Sequence, residues 1–94
     1  MAVSTIGNTL SYTDASFTYD YSVPANGTVG ISNTDLGMTT PAGHFFGTFM
    51  NLSTGNADVV LRNISASYIG LRNLTSAVKT GTLTVGVRYI KRNV

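Results

Sequence analysis

Cysteine, tryptophan and glutamate are absent from this chain of 94 residues, proline occurs only twice, and charged residues make up 11% of it. Without cysteine there is no disulfide framework and no thiolate metal site to reinforce a small core. Without glutamate the acidic side chains are Asp14, Asp20, Asp35 and Asp58. They are too scattered for paired-carboxylate glycoside chemistry, and no Asp-x-Asp-x-Asp-Gly calcium loop is present. No stretch approaches the ~20 apolar residues of a membrane span. The start, Met1-Ala2-Val3-Ser4-Thr5, has neither a basic n-region nor an apolar h-region. The expectation is a soluble chain without an export signal and without membrane insertion. A net charge of +2 is too small to call for a polyanionic partner such as a nucleic acid.

What remains is one domain, residues 1–94, of a size that hides only roughly 60 to 70% of its unfolded surface. Association with copies of itself or with a larger body is therefore expected. An average soluble domain carries about 25% charged residues; here Ser, Thr, Asn and Gly do the solvating instead, as on secreted and virion proteins.

Turn signals divide the chain into short extended segments, and no window of helical length keeps an apolar stripe free of Gly or strand formers. The clearest segment is Thr82 to Ile90, which places Leu83, Val85, Val87 and Tyr89 on one face. Phe17 to Val23 alternates as strictly, with Phe17, Tyr19, Tyr21 and Val23 inward. Pro24-Ala25-Asn26-Gly27 reads as a turn leading to a partner strand, Thr28 to Ser32. An irregular start is expected around Val3–Ile6 and Leu10–Tyr12, broken at Gly7-Asn8. Residues 33–43 lack strand periodicity and read as the main crossover loop, with Leu36 and Met38 exposed.

Residues 43–52 are extended but apolar on both phases, Phe45 and Phe49 on one, Phe46, Met50 and Leu52 on the other. Such a strand is either central or lies at an intermolecular contact. Strands are further expected over Ala57–Arg62 and Ser67–Asn73, the latter with Ile69 and Leu71 inward. The sum is an all-β, antiparallel β-sandwich, Ig-like or jelly-roll-like, of about seven or eight short strands.

His44 is the only histidine, so any Ser/His/Asp arrangement must run through it, and no nucleophile elbow supports one. A structural or solvent-facing imidazole is the stronger reading. Calcium at Asn33 and Asp35 is disfavoured for want of further ligands. The tyrosines at 12, 19, 21, 68 and 89 offer a sugar-stacking platform, but Tyr19, Tyr21 and Tyr89 fall on inward phases and read as core. Arg88, Lys91 and Arg92 suit phosphate or an acidic partner, or simply a solvated end that discourages edge pairing. Asn-x-Ser/Thr triplets at Asn26, Asn51, Asn63 and Asn73 read as turn and strand-edge polarity. Asn73 in particular ends a strand, where its side chain can satisfy backbone groups of the following loop. No catalytic residue, cofactor or metal is assigned.

From Thr40 to Lys91 the order of elements is distinctive: Thr40-Pro41-Ala42-Gly43-His44-Phe45-Phe46-Gly47, then Val59-Val60-Leu61, then Ile69-Gly70-Leu71-Arg72-Asn73, and finally Thr82 to Lys91, ending Tyr-Ile-Lys. This order resembles small β-sandwich modules at the ends of tailed-bacteriophage tail fibres and related appendage proteins. Fibre tips end a long chain behind a trimeric stalk, whereas this sequence begins at Met1 with no stalk, which shifts the expectation toward a separate decoration protein on a capsid or tail lattice. The resemblance implies a non-enzymatic virion structural protein at the virion surface, self-associated as a homotrimer and bound to other virion proteins. The contact residues expected are Leu36, Met38, Phe45, Phe46, Phe49, Met50, Arg88, Lys91 and Arg92. The alternative is a carbohydrate-binding or receptor-binding module for host surface polysaccharide.

Overall fold

Two long alternating segments set the frame of the molecule. The computed structural model describes residues 3–6 and 10–92, which form β1 (Val3–Ile6), β2 (Leu10–Val23), β3 (Thr28–Ser32), α1 (Asn33–Leu36), β4 (His44–Ser53), β5 (Val59–Ile64), β6 (Tyr68–Asn73) and β7 (Lys79–Arg92). β2 and β7 pair antiparallel along their whole length, with Thr13 opposite Tyr89, Ala15 opposite Val87, Phe17 opposite Val85 and Tyr19 opposite Leu83. Equal parity on both strands places all eight side chains on one face. There Leu83, Val85 and Val87 are completely buried, each contributing roughly 1.5–3 kcal/mol of burial free energy. Fourteen residues at ~3.3 Å per residue span ~46 Å, which accounts for a molecule 52 Å long and only 20 × 18 Å across.

All described strands pair antiparallel, in two sheets of order β1-β2-β7-β4 and β3-β6-β5. A single cluster joins them, with Val23, Val85 and Leu83 from the first and Ile31, Val59, Ile69 and Leu71 from the second. The inward phases expected for β2, β6 and β7 are those observed. Three expectations about the strands are corrected. Leu10–Tyr12 and Phe17–Val23 are one continuous strand, because Thr13 is buried and Ala15 half-buried on the same inward phase; the expected break at Gly7-Asn8 lies outside the described residues. Thr28–Ser32 does not return along β2 but pairs with β6 in the other sheet. The third correction concerns β4.

Period-two reading put Phe45 with Phe49 and Phe46 with Met50 and Leu52. The pairing of β4 with β7 instead slips between Phe46 and Thr48 and again between Phe49 and Asn51. Each bulge inserts one residue, so the inward positions recur every third residue as Phe46, Phe49 and Leu52. Phe45 and Met50 are turned to the outer face, 52% and 50% exposed. Gly47 makes the first bulge possible: a Cβ there would stand 2.6 Å from Ile90 Cγ1 and 2.8 Å from the Arg88 carbonyl oxygen.

Residues 33–43 are likewise not a plain exposed loop. Ser32 caps a single helical turn, accepting from the Asp35 N–H at 3.1 Å while its own N–H donates to Asp35 Oδ2 at 3.2 Å. Gly37, at φ 73°, closes the turn. Leu36 is buried and Met38 packs half-buried against the same cluster; α1 thereby brings apolar side chains to the core that β2 and β3 share, and neither residue offers the expected exposed contact.

The sheets are joined at one end by three crossovers, residues 24–27, 54–58 and 74–78, and Asn73 sits among them with no exposure. Its Nδ2 donates to the carbonyls of Val23 (3.1 Å), Pro24 (3.2 Å) and Ala77 (2.7 Å). Its Oδ1 accepts from the Thr75 N–H (2.9 Å) and hydroxyl (2.7 Å). Backbone bonds from Asn73 N–H to Gly27 and from Leu74 N–H to Asp58 extend the junction to the other connections. Replacing Asn73 by Ala removes the donor from the buried Val23 carbonyl and from the half-buried Pro24 and Ala77 carbonyls. In urea unfolding, Asn73→Ala is expected to lose about 2–4 kcal/mol. Asn73→Asp, isosteric but unable to donate and charged, is expected to lose at least as much; a loss under about 1 kcal/mol for either contradicts this.

Candidate outer-face contact site

Side chains that leave the core on β2, β7 and β4 meet on the opposite face of the four-stranded sheet. Tyr12 stands opposite Ile90 and Ile90 opposite Phe45, so one row across three strands is aromatic, aliphatic, aromatic. Leu10 and Met50 flank it, each on an outward phase. Beyond this patch the same face turns polar, with Ser16, Thr18, Ser22, Thr80 and Thr82 exposed and Asp20 among them, its carboxylate accepting from the Thr82 hydroxyl.

Arg88 borders the row and is not a free cation. Its Nε donates to Asp14 Oδ1 at 2.8 Å and its Nη2 to Oδ2 at 3.0 Å, a two-pronged pair. The guanidinium also lies 3.7 Å from the centroid of the Tyr12 ring. The hydrogen bond from Arg88, followed by burial acting the opposite way and by the direct attraction of the charges, leaves the Asp14 carboxyl below its ordinary value. The same bond raises Arg88 above its own.

The expected contact residues therefore divide. The sheet brings Phe45, Met50, Arg88 and Arg92 to one region of the outer face. Lys91, exposed, stands on the other phase opposite His44. Phe46 and Phe49 point into the core periphery, rings edge-to-face with centroids 5.0 Å apart, and Leu36 and Met38 are core. Leu10, Tyr12 and Ile90 were missed although their phases were readable: Ile90 shares the parity of Arg88, opposite to buried Tyr89.

His44 offers no triad. Its Nδ1 faces the Ala42 carbonyl at 2.9 Å, which fixes the proton there, and its Nε2 lies 3.2 Å from the Thr13 hydroxyl. Neither partner is a carboxylate, and Thr13 is buried beyond the reach of a substrate. Asp35 is committed to its helical cap, and no group of three metal-ligating side chains forms among the described residues. Asn73 cannot be a modification site in the folded chain, since its amide is spent on three carbonyls. No helix among the described residues is long and apolar enough to cross a membrane. No family model, no curated protein and no solved structure matches this chain.

Because Asp14 titrates lower in the folded protein than in the unfolded chain, its contribution to stability is complete above the ordinary carboxylate range and is lost as pH falls through the folded value. Melting temperature followed from about pH 6 to about pH 3 is expected to fall less steeply in Asp14→Asn than in the parent protein. Identical slopes would show that the pair carries no linkage.

Proposed function

We propose that this chain is a non-enzymatic structural protein of a virion surface, a capsid-decoration or tail-appendage component of a tailed bacteriophage, which attaches through the outer face of its four-stranded sheet. The observation that carries the reading is the half-exposed pair Phe45 and Met50 framing the Tyr12–Ile90 row. A sheet face with an apolar end and a hydroxyl-rich remainder suits burial against another protein at one end and water at the other. The resemblance of residues 40–91 to phage appendage modules supplies the biological setting.

The architecture we infer is a β-sandwich of the jelly-roll kind. The pairing of β2 with β7 and of β3 with β6 is nested about the β4–β5 connection, the order produced by rolling one long hairpin over itself. An Ig-like order would not nest in this way. Jelly rolls recur in capsid and lectin domains, an analogy of fold that agrees with a virion role.

Size-exclusion chromatography with light scattering tests the contact. The expected species is a homotrimer, and the double variant Phe45→Ser/Met50→Ser is expected to run as a monomer with its melting temperature essentially retained, since both side chains lie outside the core. A parent protein that stays monomeric at all concentrations and does not bind purified virions would overturn the reading.

A further inference from the structure

The outer face of the three-stranded sheet carries a different chemistry. β3, β6 and β5 place Gly30 opposite Gly70, and between Leu61 and Ile64 the β5 register slips, so that Arg62 and Asn63 bulge beside Gly70, whose missing Cβ would lie 3.3 Å from the Asn63 backbone N. The Tyr68 ring seats over Gly30 and the Asn63 main chain over Gly70, and between them a notch of about 110 Å³ remains in the sheet surface. The Tyr68 ring walls one side: it lies 3.0 Å from where a Gly30 Cβ would be and remains 40% exposed. Thr28 borders the other side, next to Arg72, which projects two residues beyond Gly70.

Charge makes this face distinct. All four aspartates are engaged elsewhere, Asp14 with Arg88, Asp58 with Lys79, Asp20 with the Thr82 hydroxyl and Asp35 with its cap. Arg62 and Arg72 make no ion pair among the described residues and share their sheet face with no acidic side chain. An exposed aromatic wall beside an unpaired guanidinium, with a hydroxyl and an amide at the rim, matches a pyranose ring that bears a carboxylate. The ring lies against the tyrosine, the fork of arginine takes the carboxylate, and Thr28 and Asn63 meet ring hydroxyls.

We propose that this notch binds uronic-acid residues of an acidic polysaccharide, with Arg62 as the carboxylate ligand and Tyr68 as the stacking platform. The site goes beyond the attachment face and is independent of it, because it lies on the other sheet. The small volume admits the carboxylate-bearing side of one sugar at a time, which suits weak binding repeated along a polymer by several copies of the chain.

Titration of the isotope-labelled protein with oligogalacturonate, followed by amide NMR shifts, tests the site. The expected result is movement confined to residues 28–30, 62–63 and 68–72. The methyl-esterified oligomer, which keeps the rings and loses the charge, and the variants Arg62→Ala and Tyr68→Ala are expected to bind about tenfold or more weakly. The Arg62 side chain is exposed and makes no hydrogen bond among the described residues, so its variant should melt as the parent does, and Phe45→Ser should bind sugar unchanged whatever its oligomeric state. Equal binding of acid and ester, shifts away from the notch, no shifts at all, or tighter binding of inorganic phosphate or of an oligonucleotide at these residues would each overturn the proposal.

Discussion

A single buried carboxamide holds the two sheets in register. At this end of the molecule the chain passes between sheets after Val23, after Ser53 and after Asn73, and each of these passages exposes carbonyl and N–H groups that have left one ladder without entering the next. The Asn73 amide, with three carbonyls facing its two protons and two donors facing its oxygen, answers this for the first and third passages at once. The side chain is the right length for it, and the uncharged carboxamide carries two N–H donors and an acceptor oxygen on one planar group. Thr54 performs a lesser version at the second passage, its hydroxyl lying within reach of both the Asn56 and Val59 carbonyls while its own carbonyl accepts the Tyr21 hydroxyl.

With the junction fixed at one end, β2 and β7 are free to run far past the small sheet, and the consequence is a molecule of two unlike outer faces. The long face is apolar at its far end and hydroxylated elsewhere, its one strong charge pair closed upon itself. The short face is basic, aromatic and notched beside its opposed glycines. In a chain with so few charges the partner contact proposed for the long face would rest on apolar burial rather than on ion pairs. Both faces instead offer shape and a few well-defined groups, which suits the contact role proposed for them; the polar groups around His44 are spent on each other.

Strands with an unbroken period of two were legible from sequence alone. Leu83, Val85, Val87 and Tyr89 could only face one way, and the same holds for Phe17 to Val23. Local pattern says nothing, however, about which strand a turn leads to, and so the passage of β3 into the other sheet was hidden: Pro24 to Gly27 serves a hairpin or a crossover equally well, and the deciding interaction comes from Asn73, far along the chain. β4 was misread because a bulge changes the period, and a pattern apolar on both phases is what a three-residue repeat looks like when counted in twos. Gly47 was the available signal, a glycine in a strand otherwise rich in aromatics. Gly30 and Gly70 carried a similar signal for the notch, but their opposition depends on a pairing of β3 with β6 that no neighbouring residue encodes.

The dependence of both faces on one amide is tested most directly by the side-chain NH₂ of Asn73 itself. If it bridges the Val23, Pro24 and Ala77 carbonyls, its protons exchange with solvent only when the whole molecule unfolds, at a rate that tracks global stability as denaturant is added. Exchange as fast as that of the exposed Asn26 or Asn63 amides, insensitive to denaturant, would mean that the junction is open in the folded protein and that something other than Asn73 positions the sheets.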